Sequence, residues 1–195
     1  MADDASRIEL PRAARLPGDK PFKGMNATVG EFWAWSTSDL RDDGTRGILA
    51  EFIIGKALRA LTDYRTSWSN FDLKTPGGVR VEVKSSAYLQ NFPQKKLSKI
   101  RFAGLTARSL DERGEFSPER EIRADVFVFA IQTCTEPRAW DALDIGQWEF
   151  YVASAEAIRK HGSRSVELPT LRRFAEGPIA YSGLERAVEA AAPKG

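Results

Sequence analysis

The run Ala124-Asp125-Val126-Phe127-Val128-Phe129-Ala130-Ile131 is apolar almost throughout, without alternation between polar and apolar positions. Successive side chains of a strand point to opposite faces, so this run reads as a strand buried on both sides. A sheet holding such a strand is covered by a layer on each face. That requirement points to an α/β architecture rather than a sheet with one wet face. Residues 47–61 supply a covering helix: at 100° per residue they are apolar over most of the circumference, and Asp42-Asp43-Gly44-Thr45 offers a turn and a cap. Further helices are expected at 31–35, 154–160 and 183–191. Strand-like stretches lie at 66–73, 79–86, 99–105 and 147–152, with a polar loop over 109–123. The sum is a mixed β-sheet flanked by helices.

The chain has 195 residues, 42% of them hydrophobic, which suffices for one well-buried domain. Residues 1–24, with three prolines and mixed charge, read as a flexible or extended arm. The domain proper is expected over 25–190, followed by a tail at 191–195. No stretch is long and apolar enough to span a bilayer, and the polar N-terminus lacks a signal-peptide core, so a cytoplasmic protein is expected. The formal net charge of +2 is too mild for a protein that coats nucleic acid, so phosphate affinity must come from local patches. Cys134 is the only cysteine and His161 the only histidine, which excludes an intrachain disulfide and a thiolate- or imidazole-rich zinc site. His161 reads as an ordinary surface residue.

The chemistry concentrates in Ser69-Asn70-Phe71-Asp72-Leu73-Lys74-Thr75-Pro76-Gly77-Gly78-Val79-Arg80-Val81-Glu82-Val83-Lys84. Two β-like stretches separated by Thr-Pro-Gly-Gly read as a hairpin. Alternation places Val79, Val81 and Val83 on the buried face and Arg80, Glu82 and Lys84 on the other. Pairing would bring Asp72 alongside, giving two carboxylates and one ammonium in a small site. Hard oxygen donors of this kind suit Mg²⁺ or Mn²⁺. A neighbouring ammonium can orient an attacking water and offset charge developing on a phosphoryl group. Glu51 lies on the preceding helix among Ile48, Ile54 and Leu58, where a carboxylate needs a cationic partner, either a metal or an arginine such as Arg46 or Arg59. Gly47 and Gly55, a turn either side of Glu51, would let that backbone approach the sheet. The plainer alternative is a set of cross-strand ion pairs on a solvated face.

Asp72, nine intervening residues and then Glu82-Val83-Lys84 resembles the active-site signature of the PD-(D/E)XK nuclease superfamily, the restriction-endonuclease-like fold. The resemblance is strongest over residues 45–90. It departs from the pattern in having Phe71 where the signature has proline, and in Asn91-Phe92-Pro93, which interrupts the helix that usually follows the second strand. The resemblance implies a metal-dependent endonuclease in which Asp72 and Glu82 bind the cation and the Val83 carbonyl adds a ligand. It further implies that Glu51 binds the cation or positions water and that Lys84 assists the nucleophile. Gln90 falls where some relatives carry a supporting glutamine, and Ser85, Ser86 and Tyr88 are candidates for substrate contact.

Downstream, Lys95, Lys96, Lys99 and Arg101 form a basic run, with Arg108 beyond, that could neutralise phosphates. Tyr88 and Phe92 supply interleaved aromatics. Trp33, Trp35, Trp68, Trp140 and Trp148 read as packing residues. The partner expected is DNA, with RNA or branched DNA as the alternative substrate, and a homodimer would be needed to cut both strands. The rival class is a non-catalytic nucleic-acid- or partner-binding module on the same fold.

Overall fold

The computed structural model describes residues 13–67, 69–108 and 115–193. Its centre is β4 (Val126–Gln132), whose seven residues are all buried. On one side β4 pairs in parallel with β2 (Arg80–Ala87), and on the other it pairs antiparallel with β5 (Trp148–Ser154). The two-residue β1 (Leu73–Lys74) closes one edge and β7 (Glu176–Ile179) the other, giving a five-stranded mixed sheet in the order β1-β2-β4-β5-β7. The mixed α/β architecture required by a strand buried on both faces is present.

Each face has its own core. Val81, Val83, Val126, Val128, Phe150 and Val152 face α2 (Asp43–Ala57) and α5 (Leu184–Ala191). Phe127, Phe129, Ile131, Tyr151 and Ala153 face the opposite way. There they meet a two-stranded ribbon of β3 (Arg101–Ala103) and β6 (Ser165–Glu167), together with α3 (Ala155–His161) and the short α4 (Leu168–Leu171). Phe102 stacks edge-on against Phe129 at 4.9 Å. Arg80 and Asp125 bind through a forked pair, with Nη2 to Oδ1 at 2.6 Å, which pins the starts of the parallel strands β2 and β4 together.

Capping follows the sequence closely. Asp42 accepts from the Thr45 N–H at 3.0 Å, so α2 begins at Asp43, four residues before the expected start. The helix ends at Ala57 because Arg59 turns to a φ of +53°. Thr28 and Glu31 cap α1 (Val29–Thr37) reciprocally.

Several expectations are corrected. The first strand of the hairpin is two residues long rather than eight, since the stretch before Leu73 has no alternation to build a ladder. Among the described residues no helix forms between β2 and β4; the ribbon strand β3 lies in that crossover. Trp148 is buried and Trp140 packs against the core, but Trp33 and Trp35 are exposed, because Val29 is the one buried residue of α1. Trp68 lies outside the described residues. His161 is no bare surface residue: its ring stacks on Phe174 at 5.4 Å and its Nε2 lies 3.0 Å from the Ser165 carbonyl. No helix among the described residues is long and apolar enough to cross a membrane.

Candidate active site

Because β1 stops after two residues, most of the outer edge of β2 has no neighbouring strand. Leu73 pairs with Val81, and the Asp72 N–H donates to the Val81 carbonyl at 3.1 Å. One step along, the Asp72 carboxylate takes over the role of a strand: Oδ2 accepts from the Val83 N–H at 2.7 Å. The N–H and carbonyl of one strand residue point to the same side, so the Val83 carbonyl also faces this edge. Glu82 and Lys84 flank Val83 on the other face of the sheet and meet each other, Nζ to Oε1 at 2.6 Å. Each side chain of this pair is about one-fifth exposed, at 20% and 21%.

Glu51 reaches the same edge from α2. Gly55, on the next turn, permits this approach, since a Cβ there would lie 3.2 Å from Leu73 Cδ2; around Gly47 the space is open. Glu51 does take an arginine, but neither of the two expected. Arg65 holds it in a fork, Nε to Oε2 at 2.6 Å and Nη2 to Oε1 at 2.8 Å. Arg59 instead pairs with Glu185, and the buried Arg46 pairs with Asp43. Sequence gives no sign of Arg65, because it lies in the irregular stretch 58–67, where no periodicity assigns a direction to a side chain.

The charges do not balance. Glu51 has Arg65 and Glu82 has Lys84, whereas half-buried Asp72 has one backbone N–H among the described residues. Burial, followed by the charge of Glu82, pushes the Asp72 carboxyl up to about 7, with Glu51 adding to the rise; the Val83 hydrogen bond and the Lys84 charge oppose it. Asp72 is therefore close enough to both Glu82 and Glu51 to feel their charge.

Among the described residues no group of three His, Cys, Asp or Glu side chains stands ready-arranged as a metal cage. In this arrangement Glu51 and Glu82 turn their oxygens to Arg65 and Lys84. The donor set nevertheless suits a hard divalent cation: it is all carboxylate and carbonyl oxygen, and one of its carboxylates, Asp72, has no cationic side chain bound directly to it among the described residues.

The other expected site residues fare unevenly. Ser85 shares the pleat of Val81 and Val83, so its Oγ is buried towards α2, away from Glu82 and Lys84 and without a hydrogen-bond partner among the described residues. Gln90 is committed to structure: its amide donates to the Ala87 carbonyl at 2.8 Å and accepts from Arg46 Nη1 at 3.3 Å. Lys95 and Lys96 are exposed on a loop tied back by the Ser98 N–H to the Tyr88 carbonyl at 2.9 Å. Tyr88 is about 13 Å along the strand from Lys84, so these lysines border the site rather than enter it. Lys99 and Arg101 are exposed on the approach to Gly104, and Arg101 donates to Ser165 Oγ at 2.8 Å. Gly104 itself abuts the site, since a Cβ there would sit 3.6 Å from Lys84 Nζ.

The sequence matches no protein-family profile and no curated protein. Among solved structures it is similar to a bacterial homing endonuclease, with 17% identity and a TM-score of 0.43 over 75% of this chain and 95% of that one. At that TM-score the likeness is too distant to carry a functional assignment.

Proposed function

We propose that this protein is a divalent-metal-dependent nuclease of the PD-(D/E)XK type, hydrolysing phosphodiester bonds in DNA with an activated water. The observation that carries the reading is the convergence of Glu51, Asp72 and Glu82 on one open strand edge, with Asp72 left short of positive charge. Asp72, Glu82 and the Val83 carbonyl would hold Mg²⁺ or Mn²⁺, and Glu51 would join them or position water. Such a cation, when bound, lowers the pKa of water and offsets charge on the phosphoryl group. Lys84 would then turn from Glu82 towards the nucleophile and the scissile phosphate, orienting the one and neutralising the other. Arg65, once released from Glu51, is a second cation within reach of the same phosphate. The open edge suits a polymer, because a long strand can pass across it without entering a closed pocket.

The test is cleavage of linear, circular, single-stranded and branched DNA, and of RNA, in Mg²⁺, Mn²⁺ or EDTA. Cutting is expected with either cation and absent in EDTA, and Lys84→Ala should lower it by about 100-fold or more. Tight cation binding and undiminished cutting by Asp72→Asn would remove the assignment. DNA binding that is equal in EDTA and never followed by cutting would favour the non-catalytic module instead. Cutting both strands of a duplex takes two such centres, so light scattering with bound DNA should find a dimer if blunt or staggered double-strand breaks appear.

A further inference from the structure

A hollow of about 820 Å³, open to solvent, is lined by Arg108, Arg120, Arg159 and Arg164 and by two acids, Glu119 and Glu121. Arginines elsewhere around the site are occupied: Arg65 by Glu51, Arg80 by Asp125 and Arg101 by Ser165. Here the situation is reversed. Among the described residues the guanidinium groups of Arg108, Arg159 and Arg164 make no hydrogen bond or close ion pair, although Arg159 lies near enough to Asp125 and Glu156 to help hold both carboxyls low, and Arg120 makes one hydrogen bond, to the Thr106 carbonyl at 3.1 Å. Of the two acids, Glu121 already pairs with Arg123 at 3.2 Å. Among the described residues the hollow therefore gathers four arginines against two acids, and three of the guanidinium groups have no bonded partner, an arrangement that suits phosphate oxygens.

Its position relative to Lys84 is fixed by the backbone. Gly104 abuts the Lys84 ammonium, the next N–H, of Leu105, donates to the Arg164 carbonyl at 3.2 Å, and Ala107 bridges to Glu121. Arg108 follows Gly104 by four residues, a reach of at most about 14 Å. One strand of a DNA duplex advances about 3.4 Å per nucleotide, so the hollow lies within roughly four nucleotides of a bond held at Lys84.

We propose that this arginine-lined hollow is a second phosphate-binding site, which grips the DNA backbone a few nucleotides from the bond to be cut and sets its register across the carboxylates. The proposal rests on the nuclease reading for its substrate, but binding can be measured without turnover. The experiment compares wild type with the triple variant Arg108→Gln, Arg159→Gln, Arg164→Gln, and with a control that removes equal charge outside the hollow, Arg15→Gln, Arg138→Gln, Arg186→Gln. Affinity for a fluorescent 20-base-pair duplex is followed by anisotropy in EDTA over a range of salt, and cleavage is measured separately with Mg²⁺. The hollow variant is expected to bind at least tenfold more weakly than the control, with a log-affinity against log-salt slope shallower by about two to three, one for each phosphate no longer neutralised. Lys84→Ala should lose cleavage while its slope becomes shallower by no more than about one, the single phosphate that lysine faces, and so less than for the hollow variant. Hollow and control variants that weaken binding equally would overturn the proposal, because net charge would then explain the effect. Cutting by wild type together with unaltered binding by the hollow variant sinks the hollow and leaves the nuclease; selective loss of binding in a protein that never cuts does the opposite.

Discussion

Asp72 is where the site stores its excess charge, and pH should reveal it. Its carboxyl, ordinarily at 3.8, is pushed up to about 7 in the folded chain by burial and by Glu82 and Glu51. Well below pH 3.8 both folded and unfolded chains carry the proton, and the group does not affect stability. As pH rises towards 7 the unfolded chain releases that proton while the folded chain keeps it, so folding is progressively weakened. Above about 7 both are ionised and the whole cost is present. At about 1.4 kcal/mol per pH unit of separation, that cost is on the order of a few kcal/mol. In EDTA, urea unfolding of wild type should therefore lose stability between pH 5 and pH 8 relative to Asp72→Asn, whose amide oxygen can still accept from the Val83 N–H. The variant should be the more stable protein at pH 8. Parallel pH profiles for the two would show that Asp72 is not the strained group. At this scale Asp72, Glu82 and Lys84 were legible from strand alternation and a short sequence separation. Ser85, a candidate for substrate contact in the sequence, is sent by the pleat to the face opposite Glu82 and Lys84, where its Oγ is buried.

Among the elements, α2 does most to assemble the site, and its two glycines should behave oppositely. A methyl at Gly55 would run into the Leu61 side chain and approach Leu73 Cδ2 to 3.2 Å, pressing on the strand that begins one residue after Asp72. Overpacking of this kind costs about 1–3 kcal/mol, which outweighs the roughly 1 kcal/mol that alanine contributes to a helix interior. Gly47 has nothing within 4 Å, so there the helix propensity acts alone. Gly55→Ala should lower the urea midpoint and Gly47→Ala should raise it; a stabilised Gly55→Ala would mean that α2 can move off the sheet freely. Long elements with strong patterns, α2, β2, β4 and β5, could be read from sequence because burial imposes a period on them. The three- and four-residue elements β6, α4 and β7 could not, since they are too short to show one. Leu168-Pro169 and the Gly177-Pro178 pair are turn signals that stand beside them, but such signals mark boundaries without naming the element between.

For the whole molecule, the proposed cation site at the edge between two cores would set protons and metal ions in competition. The formal charge of +2 conceals a separation of signs, with carboxylates at the β2 edge and unpaired arginines, among the described residues, in the adjoining hollow. That separation was invisible in the sequence because Arg159 and Arg164 join Arg108 only through the packing of α3 and β6 against the crossover. A divalent cation binding at Asp72 must displace its proton at pH 5 but finds the carboxylate largely ionised at pH 8. Ligand at 100 times its dissociation constant stabilises a folded protein by about 2.7 kcal/mol, which for a chain of this size raises Tm by about 5–10 °C. Mg²⁺ should therefore raise Tm by that amount at pH 8 and by clearly less at pH 5, with Asp72→Asn losing most of the pH 8 shift. Differential scanning fluorimetry, with Mg²⁺ titrated at fixed ionic strength, separates this from general screening. An equal rise in wild type and Asp72→Asn would place the cation away from the β2 edge, and Arg65 and Lys84 would then be the permanent counter-ions of a structural charge cluster.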